Sequence, residues 1–521
     1  MVTLAGWLTR TQVAPEVIEQ TLESMAVVLA DHAANGSTAE NEALTRQPAR
    51  FVQPGAGVLV FSDPTYTAGA SEPDVLDWTP ERRTMVYRRP LTGTHPLYYC
   101  ENWPAEGNLV FASDPRALLA LGVPRRLHLA ALDALLHYGF LPAPWTLFRD
   151  IQCVPAGSIL RWQHTKLVVN PSTDFQLTSP NQPEEQLEQL SSLLEKTIIN
   201  LLPQEGLQGV TLLHDTAASY YLSGLLAQYQ PACGMLASLQ PQSEDFAQAA
   251  GLPLLLIEGK SQPEYWIAPL LTLATPTIDG RALRCQQLLH TATMETGAHV
   301  ALSSLGASNL VHRPVPLTIR QQRDYAPIWS HRSIQHLQQE ETWEETAHAR
   351  KLLHKAEQIS DPQQRTDYLA LHLRLPDQEV APALRLANEE NLSLRSPFLA
   401  LPVMRLLTAL PRQLPDGMTR AKFLSNILER ISPELTQQAK LHAREANVEP
   451  DLSGLFEQQD HELLRLVLSP EALEETGLFE AKVIQELMQA TTRAHRNPPA
   501  SLILAFTTQL LCQQFGLETG E

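Results

Sequence analysis

Short apolar runs separated by turn residues are the main pattern in the first half of the N-terminal region. The runs at 57–61, 84–89 and 108–113 are rich in β-branched, aromatic and aliphatic residues and are bounded by Gly, Pro, Asn or Asp. Runs of this length and composition are typical of β-strands. The pattern therefore predicts several short strands joined by turns.

Two helices are predicted after these strands. Asp114 suits the cap of a helix, Pro115 suits its first position, and Gly122 suits its end. A second helix is predicted from about Leu129 to Tyr138. A Pro-rich passage follows it.

The segment at 178–186, TSPNQPEEQ, combines turn residues and charge with no periodicity. Such a segment is typical of a linker, so it divides the chain into predicted domains at 1–178 and 187–521. Apolar residues then recur at spacings of three and four from Leu187 to Leu201, which predicts an amphipathic helix.

The second predicted domain begins with apolar runs that alternate with helical stretches. These runs lie at 209–213, 233–239, 252–258 and 299–305. Strands that alternate with helices favour a parallel sheet covered by helices on both faces. From about residue 315 onward the pattern is almost wholly helical.

Charge and cysteine content narrow the functional classes. The net charge is −18, and a surface of that sign repels nucleic acid and anionic membranes. No apolar run approaches the ~20 residues that span a bilayer, and the first residues show no signal peptide. The five cysteines are scattered without a C-x-x-C pair, as is typical of reduced thiols in a cytoplasmic protein.

Five segments resemble segments of the asparagine synthetase family, and the first three also have the family's order and spacing. They are TGTHPLYYC at 92–100, FASDPRALLALG at 111–122, YGFLPAPWTLFRDIQCVPAGSILRW at 138–162, LRLANEENLSLRSPFLALPV at 384–403 and AKFLSNILERISPELTQQAK at 421–440. The family includes asparagine synthetase B, β-lactam synthetases and lasso-peptide cyclases. The resemblance covers nearly the whole chain.

This resemblance implies an α/β fold with two parts. The first is a glutaminase-like α/β sandwich of the N-terminal nucleophile type. The second is an ATP-pyrophosphatase domain, like the adenine nucleotide α-hydrolases, with a parallel sheet and a large helical part. Family members activate a carboxylate with ATP and Mg²⁺ as an acyl-adenylate, which an amine then attacks.

Glutamine hydrolysis is not expected. The family's nucleophile is a cysteine at position 2, where this chain has Val2, and Val2 carries no nucleophilic atom. The first cysteine in the chain is Cys100. We therefore interpret the first domain as a degenerate glutaminase-like domain.

The phosphate-binding loop of the family, S-G-G-x-D-S-S, is also changed. Its remnant here comprises Leu213, His214, Asp215, Thr216 and Ser219, and the Mg²⁺-binding aspartate is replaced by alanine. A carboxylate at Asp215 would repel phosphate, although it could instead substitute for the lost aspartate from three positions upstream.

The second metal-binding motif, G-E-G-x-D-E-L, is changed in the same way. Its remnant comprises Ser303, Gly306, Ser308 and Asn309, where Gly306 keeps the turn and the last two replace acidic residues. Mg²⁺ prefers carboxylate oxygens, so no metal site is predicted.

Lys440 lies where the family has a lysine that stabilises negative charge. It is the one candidate catalytic residue, and an ordinary surface lysine is an equal alternative. Arg385 and Arg395 are expected to anchor the helical part through ion pairs.

The predicted function is that of a catalytically silent partner or scaffold subunit. The first alternative is a divergent ATP-dependent amide ligase or cyclase in peptide or natural-product biosynthesis. The second alternative is a protein that binds a small molecule in the old nucleotide cleft. The silent subunit implies an active paralogue or a homo-oligomer as partner. The ligase implies ATP, Mg²⁺ and a substrate such as a peptide. The pattern does not indicate whether His214, Tyr220 or Tyr221 fills the cleft.

Overall fold

A computed structural model describes most of the chain. The described residues are 3–34, 49–61, 75–79, 82–172, 183–203, 208–213, 216–227, 235–239, 243–257, 263–312, 314, 316–318, 326–410, 417–442, 452, 462–494 and 496–519.

Two antiparallel sheets form the N-terminal part. The first has the order β2-β3-β1-β7-β6-β8 and the second has the order β10-β9-β5-β4. Their strands are β1 (Thr3–Leu8), β2 (Ala49–Gln53), β3 (Ala56–Phe61), β4 (Leu76–Thr79), β5 (Thr84–Arg88), β6 (Tyr98–Glu101), β7 (Leu109–Ala112), β8 (Gln152–Cys153), β9 (Ser158–Gln163) and β10 (Lys166–Pro171).

The two sheets pack face to face because successive side chains of a strand point to opposite faces. In β1, Leu4 and Leu8 pack in a cluster with Met85 and Trp162 of the second sheet. Ala5 and the β1 residue that shares its face of the sheet pack instead against helices, on the side away from the second sheet. These helices are α1 (Pro15–Ala34), α2 (Pro115–Ala120) and α3 (Leu129–Tyr138).

A five-stranded parallel sheet organises the second part, in the order β13-β12-β11-β14-β15. Its strands are β11 (Gly209–Leu212), β12 (Leu236–Ser238), β13 (Leu254–Leu256), β14 (Val300–Leu302) and β15 (Ser393–Arg395). Neighbouring residues such as Ala301 and Leu302 belong to different apolar clusters, so both faces of the sheet are covered.

Helices account for most of the rest. They are α4 (Pro183–Leu201), α5 (Ala217–Leu226), α6 (Ser243–Ala250), α7 (Ile267–Leu273), α8 (Arg281–Thr296), α9 (Ala307–Leu310), α10 (His331–Gln339), α11 (Ala347–Glu357), α12 (Pro362–Leu369), α13 (Ala381–Glu389), α14 (Leu401–Ala409), α15 (Arg420–Ile431), α16 (Pro433–His442), α17 (Glu462–Val467), α18 (Pro470–Thr476), α19 (Ala481–Ala494) and α20 (Ala500–Phe515). A π-helix, Ala370–Val380, connects α12 to α13. In the part of the chain described here, no helix has the length and apolar character needed to cross a membrane.

Most predicted elements are confirmed. The three N-terminal strand runs become β3, β5 and β7, and the four later runs become β11 to β14. Asp114 caps α2 by accepting a hydrogen bond from the Arg116 N–H, at 2.8 Å. The helix predicted from residue 187 begins at Pro183.

The described residues after 315 are almost wholly helical, as predicted, with the exception of β15, which adds to the edge of the parallel sheet beside β14. Because β15 is only three residues long, it is too short to show the alternation of apolar and polar residues that predicts a strand. In the first part the prediction needs correction, because a 20-residue helix, α1, lies where only strands and turns were predicted.

Candidate functional site

A cavity of about 720 Å³ lies where the two parts of the chain meet. Its wall includes Arg89 and Cys153 from the N-terminal part. It also includes Leu212 at the end of β11 and Ser303 just beyond β14. The carboxyl ends of parallel strands are where open α/β sheets bind ligands. The cavity therefore occupies the expected position for a site.

The phosphate-loop remnant contributes little to the cavity wall. Thr216 lines the cavity and caps α5, since its Oγ1 accepts a hydrogen bond from the Ser219 N–H at 3.2 Å. Ser219 is fully buried, and its hydroxyl donates to the Leu212 carbonyl at 3.4 Å. Leu213 is buried in an apolar cluster. His214 and Asp215 lie outside the described residues.

The residues after this loop pack into the core. Ala218, which replaces the family's aspartate, is fully buried. Tyr220 is fully buried too, with its ring edge-on to Phe246 at a centroid distance of 4.8 Å. Tyr221 belongs to the same apolar cluster. Neither tyrosine lines the cavity, so neither of them fills it.

The second-motif remnant lies along the cavity wall, and Ser303, Gly306, Ser308 and Asn309 all line it. Ser303 Oγ accepts the Leu305 N–H at 3.1 Å. Gly306 has a φ of +89°, a conformation that favours glycine. This turn directs Ser308 and Asn309 toward a side chain that the sequence did not reveal.

That side chain is Glu379. Its Oε1 accepts hydrogen bonds from the Ser308 hydroxyl and the Asn309 side-chain amide. Burial raises the pKa of Glu379, and the bond from Ser308, the nearby guanidinium groups of Arg281 and Arg374 and the bond from Asn309 only partly oppose this rise. A carboxylate is thus present at the second motif, but it comes from another element.

The π-helix brings Glu379 to the cavity. Its hydrogen bonds connect residues five apart, as the Ala381 N–H bond to the Pro376 carbonyl shows. Residues five apart therefore stack on one face, and Arg374 and Glu379 both line the cavity. Burial and the charge of Arg281 lower the pKa of Arg374.

Buried ion pairs join the two parts of the chain around the cavity. Arg89 Nη2 lies 3.5 Å from Asp377 Oδ1, and the two side chains are 0% and 7% exposed. Asp377 Oδ2 also accepts the Ala143 N–H at 3.0 Å. Arg385 Nη2 lies 3.4 Å from Asp114 Oδ1. This contact fits the anchoring role expected for Arg385.

The other residues singled out by the family resemblance lie away from the cavity. Lys440 is on the surface of α16, with its Nζ 3.3 Å from Glu429 Oε2, and its side chain is 56% exposed. This placement matches the alternative of a surface lysine. Ser393 is buried in β15. Arg395 donates to the Leu201 carbonyl at 2.9 Å.

The described cysteines are poor nucleophiles. Burial raises the pKa of Cys153 to about 11, and burial raises the pKa values of Cys100, Cys285 and Cys512 to about 12. Thiols with such pKa values stay protonated near neutral pH, and the thiolate is the reactive form. Val2 itself lies outside the described residues.

The described residues do not fit the Mg²⁺ that the family resemblance implies. Glu379 is the carboxylate that Ser308 and Asn309 contact, and Ala218 offers no oxygen from its side chain. Across the described parts of the chain, no group of three or more His, Cys, Asp or Glu residues is arranged to hold a metal.

The comparison with known families concerns the N-terminal part. Residues 75–172 match the glutamine amidotransferase domain family. The matched region runs from β4 to β10 and is consistent with an N-terminal domain of the asparagine synthetase type. It begins well after position 2, where the resemblance places the nucleophile. Among curated proteins, no match to the chain was found.

A sequence signal for the missed residues does exist. The segment LPDQEV at 375–380 places Asp377 and Glu379 in a helical stretch whose leucines and valine are typical of a buried segment. Two carboxylates there require buried partners, which Arg89 and Ser308 supply. The family motifs do not include these two positions.

Proposed function

We propose that this protein is an asparagine synthetase-like homologue that neither hydrolyses glutamine nor adenylates a carboxylate, and that it binds a small molecule in the cavity between its two parts. The observation that carries the proposal is the cavity itself, with Glu379 in its wall. Its volume, about 720 Å³, lies within the range of small-molecule sites.

The cavity favours ligand binding over a purely structural role. Open space in a protein interior lowers stability, because the lining atoms lose packing contacts. A subunit kept only as a scaffold would gain stability by filling this space. Instead, polar groups including Ser308, Asn309, Arg374 and Glu379 converge on it. A silent subunit that binds a ligand and reports it to a protein partner remains compatible with this proposal.

The ligase alternative has weaker support. Glu379 supplies one carboxylate near the second motif, but Ala218 and the buried Ser219 leave the first motif without side chains for a metal or phosphate. Lys440 is held by Glu429 at the surface, away from the cavity wall.

A cavity-filling variant tests the proposal. Ala282 lines the cavity near the start of α8, so Ala282→Trp is expected to abolish the thermal stabilisation produced by any compound that binds there. The measurement is a thermal-shift screen of a metabolite collection. Met294→Trp is the matched control on the same helix, because Met294 is 58% exposed and does not line the cavity.

The same preparation distinguishes the alternatives. We expect no ATP–pyrophosphate exchange with Mg²⁺ and no release of ammonia from glutamine. Exchange that disappears in Lys440→Ala would instead establish the ligase. Stabilising compounds that act equally on wild type and Ala282→Trp would refute binding in this cavity.

Glu379 is expected to lower stability in the absence of ligand. Its folded-state pKa is raised, so the folded protein holds this proton more tightly than the unfolded chain does. The stability cost is therefore absent below the unfolded pKa, about 4.3, and develops as pH rises through the folded pKa. Glu379→Gln should then raise the free energy of unfolding near pH 8 by about 0.5–2 kcal/mol.

Chemical denaturation at pH 4 and pH 8 measures this effect. The gain should shrink at the lower pH, since the wild-type carboxyl is then protonated. Glu486→Gln on α19 serves as the control, because this glutamate lies away from the cavity. A destabilised Glu379→Gln protein at pH 8 would contradict the prediction.

A further inference from the structure

We propose that the ligand is amphipathic, with an aromatic or branched aliphatic group in one arm of the cavity and a hydrogen-bond-donating head at Glu379. The inference rests on the proposed ligand-binding function and adds the chemical class of the ligand. We call this region the apolar arm, and it is lined by Leu135, Phe140, Leu141, Trp145, Phe148 and Ile278.

The apolar arm leaves large hydrophobic side chains incompletely covered. Leu135, Phe140 and Phe148 are buried, but Leu141, Trp145 and Ile278 are only partly buried although all line the cavity. Covering apolar surface that faces a water-sized space with an apolar group is energetically favourable, because the surface is removed from water. An aromatic ring or branched chain is the type of group that fits such walls.

The histidine ring behind the apolar arm is uncharged at neutral pH. Trp145 packs at its edge against the ring of His128, with a centroid distance of 4.7 Å and an interplanar angle of 61°. Burial lowers the pKa of His128 to about 4, so its ring is neutral. The wall behind Trp145 therefore favours an uncharged ligand group.

The apolar arm adjoins the polar end of the cavity at Gly139. A Cβ placed on Gly139 would lie 3.8 Å from both Ile278 Cδ1 and Gln378 Nε2. The Gln378 side-chain amide also donates to the Gly139 carbonyl, at 3.4 Å. Gln378 and Glu379 both line the cavity with Ile278, so one small molecule in the cavity can contact Ile278 and Glu379 together.

Glu379 offers the head of the ligand an acceptor. Both hydrogen bonds that it receives from Ser308 and Asn309 go to Oε1. Within the described residues, Oε2 receives no hydrogen bond, so it remains for a donor on the ligand. Arg374 also lines the cavity, and the several N–H groups of a guanidinium are donors that suit an acceptor on the head. A primary amide has this combination of donor and acceptor.

Calorimetric titration with three probes tests this inference. Phenylacetamide carries both the apolar group and the head, acetamide lacks the apolar group, and ethylbenzene lacks the head. We expect phenylacetamide to bind wild type at least about tenfold more tightly than acetamide, as burial of a ring predicts. Ile278→Trp should abolish this difference, and Met294→Trp should keep it. Glu379→Gln should weaken phenylacetamide and leave ethylbenzene unchanged.

The outcomes separate this inference from the proposed function. Equal affinity for phenylacetamide and acetamide in wild type would overturn the amphipathic ligand, as would a ring-dependent affinity that survives Ile278→Trp. The proposed function would still stand if polar compounds lost binding in Ala282→Trp. If circular dichroism shows that Ile278→Trp does not fold, Ile278→Phe replaces it in the test. Ile278→Phe should also reduce the affinity for phenylacetamide.

Discussion

Asp377→Ala should lower the free energy of unfolding by about 3–5 kcal/mol, because it leaves a buried guanidinium without its ion-pair partner. Arg89 has a side-chain exposure of 0% and lies 3.5 Å from Asp377. Its remaining contacts are neutral acceptors, including the Val154 carbonyl at 2.7 Å. These acceptors do not balance its charge. Urea denaturation followed by circular dichroism measures the loss.

Two further variants make this prediction specific. Glu106→Ala removes the partner of Arg10 from an exposed pair, at 3.9 Å, and should cost less than about 1 kcal/mol. The double variant Arg89→Met/Asp377→Ala removes both charges and should recover much of the loss. The prediction is contradicted if Asp377→Ala lowers the free energy of unfolding by no more than Glu106→Ala does.

Gly93→Ala should lower the free energy of unfolding by about 2–4 kcal/mol, combining overpacking with an unfavourable backbone conformation. Gly93 has a φ of +85°, and a Cβ there would lie 2.4 Å from the Cα of Pro376. That contact is with backbone of the π-helix, which cannot rotate aside as a side chain can. The same denaturation experiment measures the cost.

Gly516→Ala is the matched control, because it measures the cost of placing alanine at a positive φ without a steric clash. Gly516 has a φ of +60°, and a Cβ added there would meet no atom of the described residues within 4 Å. Its substitution should cost only about 1–2 kcal/mol, from the positive φ alone. Equal costs at the two positions would show that the turn at Gly93 and the π-helix separate without difficulty.

Both large effects concern the contact between the N-terminal sheets and the π-helix. Arg89 and Gly93 flank a turn after β5. Arg89 pairs with Asp377, and Gly93 lies against Pro376. The turn is therefore joined to the π-helix by a charge pair and a close backbone contact, at the wall of the cavity that Arg89, Asp377 and Glu379 line.

Local patterns predicted the fold well where elements have clear ends or a regular alternation, but they missed the long helix α1. The cap at Asp114, the helix Leu129–Tyr138 and the alternation of strands and helices from residue 209 all follow from short-range chemistry. The strand β15 could not be predicted in this way. Its three residues become a strand only because β14 pairs with them, and that contact is long-range.

The candidate site was predictable in position but not in composition. Family motifs led to Ser308 and Asn309, which do line the cavity. They gave no indication that both would contact Glu379, about 70 residues later, because a π-helix has no strong sequence period of its own. The role of Lys440 stays a prediction, and its exposed position lends that role no support.

The π-helix makes the site depend on chain length as well as on residue identity. Each residue of an ordinary helix turns the chain by about 100°, so losing a single residue before Arg374 in this segment, and with it the wide turns, would leave Arg374 and Glu379 five residues apart but about 140° apart around the helix. Arg374 and Glu379 would then leave their shared face, although both side chains were still present. Two relatives with the same residues but different lengths here would differ in what they bind, and this is a form of divergence that comparing residue identities alone does not detect.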